Sequence, residues 1–351
     1  MDDDRLISAL VATLAGVLVG AALFVPFVAV SYRRRGGLTA WRFVAWAAFL
    51  VYFFAIWTYT LLPLPDPDLI RCVGAITDPM AVVRDLQAAF AGPGNPIRSP
   101  ELQQLLLNVL LFVPLGFFVR GLLGRGLVTT VVIGFAVSLF VETTQLTGVW
   151  GVYPCAYRFF DVGDLMTNTL GALIGATLSL LVPRRLRGIA PAADAREPRP
   201  VTRRRRLLAV LCDVLGAGIV AAAVSVATQL VLEYIVGDHA AVVDGTIATL
   251  LSTGVVALAW LLLILATGRS VGDFAVELVY QGGRMPQTAA RLVRFAAGIG
   301  GYHLLTLLPE DWSWVASWFA FVAVVLVLTT RRGRGLPGIL TGRELVDARD
   351  R

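Results

Sequence analysis

The stretch Arg158-Phe-Phe-Asp161-Val-Gly-Asp164-Leu-Met-Thr-Asn168-Thr-Leu-Gly171-Ala-Leu-Ile-Gly175 decides how this chain folds. Asp161, Asp164, Asn168, Gly171 and Gly175 recur at steps of three and four, which places them on one helical face. The remaining positions are mostly apolar, and apolar residues continue to Val182. Such a helix is suited to a membrane, where acids and amides are expensive and have a partner or a task.

The rest of the chain agrees. Of its 351 residues 57% are hydrophobic and 15% charged, against about 25% charged in a soluble globular domain. Mean hydropathy is +0.75. The long apolar runs do not alternate polar with apolar residues, as strands of a membrane barrel would. The reading is an all-α, polytopic bundle of about nine spans. Five are expected at Leu6–Val30, Phe43–Leu62, Leu102–Val119, Leu127–Gly148 and Leu165–Val182. About four follow at Leu207–Val236, Thr246–Thr267, Phe295–Leu308 and Trp314–Thr330. The eighth is the weakest, short and rich in Gly, and fits a re-entrant or tilted segment.

Arginines cluster in every second loop, at Arg33–Arg35, Arg120 and Arg125, Arg184–Arg206, Arg269–Arg294 and Arg331–Arg343. By the positive-inside rule this places the N-terminus outside and the C-terminus inside. The net charge of +6 therefore implies headgroups and no nucleic acid. The acidic flank Asp2-Asp3-Asp4 and the length of the first run argue for an anchor over a cleaved signal peptide. Lys is absent, which by composition alone hints at a GC-rich bacterial genome. Residues 1–182 and 207–351 read as two transmembrane domains joined by a basic cytoplasmic linker, 183–206. Within the long outer loop 63–101, Met80–Ala91 has the spacing of an amphipathic helix. That helix either lies on the outer interface or packs on the span ends.

In this topology Glu142, Gln145, Arg158, Asp161, Asp164 and Asn168 share one outer level, with Asn108, Tyr59 and Thr60 near it. They outline a polar pocket open to the outer leaflet. Structural roles are also available: Asp161 or Asp164 as a helix cap, Arg158 paired with Glu142, Asn108 as interhelical glue, and Gly171 and Gly175 for close packing. Three acids, an Arg and two amides exceed what packing needs. Arg158 is expected to face at least one acid. Cys72 and Cys155 both fall outside, where thiols oxidise, and can form a disulfide. No Cys or His has metal-motif spacing, and no cofactor motif is present.

Here the chain resembles a known family. Asn108-Val-Leu-Leu-Phe112-Val-Pro114-Leu-Gly116, Glu142-Thr-Thr-Gln145, the Arg158–Gly171 run and Thr60-Leu-Leu-Pro63 are similar, in order, to signatures of VanZ-like membrane proteins. The resemblance implies a protein of the bacterial cytoplasmic membrane. The family takes its name from a member linked to glycopeptide resistance, particularly teicoplanin. On that reading the partners are membrane lipids or a lipid-linked cell-wall precursor, or the glycopeptide itself. The pocket residues Asn108, Glu142, Gln145, Arg158, Asp161, Asp164 and Asn168 would bind its headgroup.

Arg206, Ala209 and Asp213 resemble the opening motif of RDD-family membrane domains. Gly268–Phe274, Arg291-Leu-Val-Arg294 and Arg334–Gly342 resemble later parts of that family, although Pro337 and Gly338 replace its closing His and Asp. Arg206 is expected to reach headgroups or snorkel. Two other function classes remain. An enzyme would use Glu142 with Asp161 or Asp164 as an acid–base pair, but nothing resembling a nucleophile motif accompanies them. A transporter would use Asp213 as an ion or proton site, but no inverted repeat is visible.

Overall fold

The sequence Ser99-Pro100-Glu101 begins the helix that organises the first half of the chain. The Ser99 hydroxyl accepts from the Leu102 amide at 3.2 Å. Pro100 needs no donor at the first helical position, and Glu101 suits the positive helix end. The helix then runs through apolar residues to Gly121. In the computed structural model, residues 2–61, 70–92, 94–183, 186–188 and 191–350 are described. The side chains of residues 2–18, 55, 58 and 59 lie outside that set. Tyr59, and Leu62 and Pro63 of the Thr60–Pro63 motif, therefore fall outside the described side chains.

The chain divides into two compact units, Met1–Val17 with Thr39–Ala190 and Leu18–Leu38 with Pro191–Arg351. Helix α1 (Asp2–Arg35) contributes to both.

The first unit contains α2 (Ala40–Leu61), α3 (Ala81–Ala91), α4 (Pro100–Gly121), α5 (Leu127–Leu146), a single turn α6 (Gly148–Gly151) and α7 (Val162–Leu178). Two short strands, β1 (Ala75–Ile76) and β2 (Phe160–Asp161), pair in parallel, Ala75 with Phe160 and Ile76 with Asp161. Its apolar core joins Ile56 of α2 to Phe112, Leu115 and Val119 of α4. Helices α4 and α7 touch backbone to backbone. A Cβ at Gly116 would lie 1.9 Å from the Ala172 carbonyl oxygen, one at Gly171 2.1 Å from that of Val109, and one at Gly175 1.8 Å from that of Val113. Small residues at this spacing are what allow membrane helices to approach so closely.

The second unit contains α8 (Arg203–Val231, continuing as a π-helix to Val236), α9 (His239–Asp244), α10 (Thr246–Thr267), α11 (Val271–Ala275) and α12 (Gln287–Ala296). α13 (Ile299–Leu305), α14 (Ser313–Thr329) and α15 (Gly335–Thr341) complete its helices. Strand β3 (Leu278–Gln281) pairs antiparallel with β4 (Glu344–Asp347). Ala217, Val256, Ala257, Trp260, Ile264 and Phe295 form its core.

Six helices among the described residues are long and apolar enough to cross a membrane: Pro100–Gly121, Leu127–Leu146, Val162–Leu181, Arg203–Val236, Thr246–Thr267 and Glu310–Thr329. Their outward faces carry large exposed apolar side chains, such as Leu106 and Leu110, Val128 and Val132, Leu258 and Leu262, and Trp318 and Phe321. The first two of the nine expected spans fall on α1 and α2, which contain side chains outside the described set. The eighth, Phe295–Leu308, is not one helix. It breaks at Gly298, where a Cβ at Gly301 would lie 1.8 Å from the Ala296 carbonyl oxygen. Only glycine permits the chain to fold back this tightly.

The arginines that close the expected linker lie inside the second unit. Thr202 caps α8. Arg205 and Arg206 are buried, Arg205 pairing with Asp347 at 2.8 Å and Arg206 with Asp273 at 2.7 Å. Arg206 therefore does not snorkel to headgroups, because a carboxylate inside its own unit holds it.

Candidate functional site

Four loops and helix ends of the first unit are tied together above α4 and α7. Asp161 caps α7, its Oδ1 accepting from the Gly163 amide at 2.7 Å. The Asp161 amide donates in turn to Glu142 Oε2 on α5 at 3.0 Å. Both carboxylates thus sit at the positive end of α7. A Cys72–Cys155 disulfide, with Cα atoms 5.5 Å apart, and the Val73 N–H to Ala156 carbonyl bond at 3.0 Å join the loop before β1 to the loop before β2. The expectation that these two cysteines pair agrees with this structure.

The interhelical amides hold the walls. Asn108 Nδ2 on α4 donates to Asp164 Oδ1 on α7 at 2.6 Å. Gln145 Nε2 on α5 donates to the Thr60 carbonyl on α2 at 2.6 Å. Asn168 Nδ2 donates to Ser138 Oγ at 2.9 Å, while its Oδ1 is buried and makes no hydrogen bond. Pro114 leaves the Leu110 carbonyl without an intrahelical donor, and the neighbouring Leu111 carbonyl accepts the Tyr52 hydroxyl at 2.8 Å.

Between these walls lies a cavity of about 820 Å³. Asn108, Glu142, Gln145, Arg158, Asp161, Asp164 and Asn168 all line it. The sequence pattern therefore marked a set of residues that the fold brings to one place. It missed Tyr52, Asp85 and Gln104, which line the same cavity. Asp85 was legible only as part of the polar face of an amphipathic helix. That helix, α3, packs on the unit by one side and leaves apolar side chains exposed on another. Ala89 is buried and Val82 approaches Gly163, whereas Val83, Leu86 and Phe90 are exposed.

Arg158 faces the same cavity as Glu142, Asp161 and Asp164, as expected, but forms no ion pair with them. Among the described residues no carboxylate lies within ion-pair distance of it, and its Nη1 meets only the Thr60 carbonyl at 3.4 Å. Glu142, the expected partner, is engaged by the Asp161 amide instead. The cavity thus presents one unpaired guanidinium and the carboxylates of Asp85, Glu142, Asp161 and Asp164. Among the described residues no group of His, Cys, Asp and Glu side chains could hold a metal ion.

Residues 49–183 match the VanZ/LLP1 family model. The N-terminal half thus carries a VanZ-like domain, and the match spans every wall of the cavity from Tyr52 to Asn168. The six apolar helices together with the VanZ/LLP1 match fit a multi-pass membrane protein. No match to the chain was found among curated proteins or among solved structures.

In the second unit the residues Arg206, Ala209 and Asp213 dock one turn. Arg206 pairs with Asp273. A Cβ at Gly272 would lie 1.9 Å from the Ala209 carbonyl oxygen. Asp213 accepts from Trp260 Nε1 at 3.0 Å, Ser270 Oγ at 2.7 Å and the Gly272 amide at 2.9 Å. The carboxylate is saturated by donors, which accounts for an acid buried in this helix.

Proposed function

We propose that the VanZ-like half is a binding site in the outer leaflet of the bacterial cytoplasmic membrane for the headgroup of a lipid-linked envelope component. The observation that carries this reading is Arg158, a guanidinium without a carboxylate partner among the described residues, facing a cavity of about 820 Å³. An unpaired guanidinium suits a phosphate or carboxylate, which it can hold bidentately. Asn108 and Gln145 spend donors on the protein, so they hold helices together. The carboxylates of Asp85, Glu142 and Asp164 remain as acceptors for hydroxyl or amino groups. The preferred headgroup therefore combines one anionic group with several hydrogen-bond donors, as a phosphorylated sugar does.

The cavity wall supports a lipid over a free sugar. Leu107 and Leu110 line the cavity and are each 63% exposed on the outer surface of α4. A ligand anchored at Arg158 can leave its chains beside these leucines, in the bilayer. The Cys72–Cys155 disulfide supports an extracytoplasmic position for this end of the unit, in keeping with an N-terminus outside. Sequestering such a precursor, or changing access to it, is how a protein of this kind would affect a glycopeptide such as teicoplanin. The second half we read as an RDD-like domain in a structural role, since its Asp213 has three donors and little capacity for an ion.

A second reading, an acid–base enzyme on a glycolipid, draws on Glu142 and Asp164 facing one cavity from different helices. Photo-crosslinking decides whether lipid occupies the cavity. A photoreactive side chain at Leu107 is expected to capture one headgroup class well above its share of the bilayer. A control at Leu211, an exposed position on α8, is expected to capture bulk lipid. Bulk lipid at both positions would remove the binding reading, and a captured lipid found chemically altered would favour the enzyme.

A further inference from the structure

The second unit holds a small cavity of about 70 Å³ beside the C-terminus of α10, lined by Arg291, Arg294, Arg343, Gln287 and Thr341 among others. No carboxylate lines it. Arg291 and Arg294 are three residues apart on α12 and so share a face. Each spends one nitrogen on the end of α10. Arg291 Nη1 donates to the Leu265 carbonyl and, at 3.3 Å, to that of Ala266, and Arg294 Nη1 donates to that of Gly268. Basic side chains commonly serve the negative end of a helix in this way. Arg294 also pairs with Asp273.

Helix capping leaves Arg343 unexplained. Its Nη2 reaches the Met285 carbonyl at 3.3 Å, and its Nε is buried without a hydrogen bond. Neither Arg291 nor Arg343 has a carboxylate partner among the described residues. The loop after β3 is shaped around Arg343. Gly282 and Gly283 adopt φ of 76° and 81°, and a Cβ at Gly283 would lie 2.8 Å from Arg343 Cγ and 2.8 Å from the Thr341 carbonyl oxygen. Burial, with Arg206 and Arg269 nearby, pulls the Arg294 pKa downward. Arg291 and Arg343 thus bring to the cavity positive charge that no carboxylate in its wall balances, and partly buried charges call for a counter-charge.

The volume limits what that counter-charge can be. A water needs about 10–15 Å³ of such space, so the cavity has room for a few waters or one tetrahedral oxyanion. Guanidinium forks match the oxygens of phosphate bidentately. We propose that this cavity is a phosphate site, with Arg343 and Arg291 as the binding residues and Arg294 as a third donor. The phosphate is either free or part of a lipid headgroup, and the chemistry at the arginines is the same.

The test uses the full-length protein in nanodiscs of uncharged lipid. Inorganic phosphate is titrated calorimetrically. Phosphatidic acid and diacylglycerol with the same chains are compared by native mass spectrometry. Phosphate binding identifies a soluble oxyanion as sufficient, and retention of phosphatidic acid alone identifies a headgroup. In either case Arg291→Gln with Arg343→Gln is expected to weaken binding at least tenfold. Arg284→Gln, at an exposed neighbouring arginine, should not. The proposal is overturned if wild type binds neither probe, or if it binds diacylglycerol as well as phosphatidic acid. It is also overturned if the double variant keeps wild-type affinity. Should the double variant fail to fold, the wild-type titrations still decide. A purely helix-capping role predicts a lower melting temperature for the variant and no stabilisation of wild type by phosphate.

Discussion

Replacing Gly175 by Ala tests the contact that builds the cavity. The added Cβ would stand 1.8 Å from the Val113 carbonyl oxygen, where about 3.3 Å is the ordinary limit for such an approach. Helices α4 and α7 must therefore separate locally by roughly 1.5 Å, since the obstacle is backbone and cannot rotate away. Overpacking of this kind costs typically about 1–3 kcal/mol, against a helix-propensity gain of about 0.5–1 kcal/mol for Gly→Ala. The net expectation is a loss of about 1 kcal/mol, within a range of about 0–2.5 kcal/mol. The separation also pulls at the Asn108–Asp164 bond, now 2.6 Å, so the cavity wall should loosen with it. Gly254 in α10 is the control, because a Cβ there meets nothing within 4 Å. Thermal melting followed by detergent size-exclusion chromatography should show Gly175→Ala below wild type and Gly254→Ala at or above it. If Gly175→Ala melts no lower than wild type, α4 and α7 are not in backbone contact and the cavity is not built as described.

Three further outcomes are expected. Thiol titration of the denatured protein should find one free cysteine without reductant, Cys212, and three with it; Cys72→Ser should cost about 2–5 kcal/mol, and three free thiols in unreduced protein would deny the bond. Asp347 should make stability acid-sensitive. Burial raises its pKa, but hydrogen bonds from Arg349, the Arg199 amide and Arg205 outweigh this and hold it well below the usual carboxylate range. A depressed folded pKa contributes stability in full above the unfolded value of about 3.9 and loses it as pH falls through the folded value, so wild type should lose stability below about pH 4 more steeply than Asp347→Asn in melts across pH 7 to 3. Asp213→Ala strands the donors of Trp260, Ser270 and Gly272, about 1–3 kcal/mol for each buried one, and should lower protein level while the surviving protein keeps any lipid held by the first unit; loss of that lipid at normal abundance would move the function to Asp213.

Much of this was legible in the sequence because hydrophobic length is a local signal. Thr246–Thr267 is bounded as its apolar run is, with Gly245 and Gly268 at its ends in the left-handed region. The cavity was legible because its residues repeat on helical faces, and because Gly171 and Gly175 mark the side of α7 that must touch another helix. What the sequence concealed depends on partners far along the chain. Arg206 sits among arginines that read as a linker, and its burial follows from Asp273, 67 residues away. The break in the eighth expected span depends on the close approach of Gly301 to the Ala296 carbonyl, which a side chain would forbid and hydropathy does not register. Arg158 looked like half of an ion pair, and nothing local indicated that the Asp161 amide would occupy Glu142 first.

The most direct test of the central claim is lipid mass spectrometry of the gently purified protein, wild type against Arg158→Ala. Arg158 makes one long hydrogen bond to the protein, so its removal should leave the fold and melting temperature nearly unchanged. Wild type should retain a lipid whose headgroup carries an anionic group and several hydroxyl or amino groups, and Arg158→Ala should lose it. Equal retention of the same lipid by both proteins, or bulk membrane lipid alone in wild type, would contradict the assignment of the outer cavity as a headgroup site.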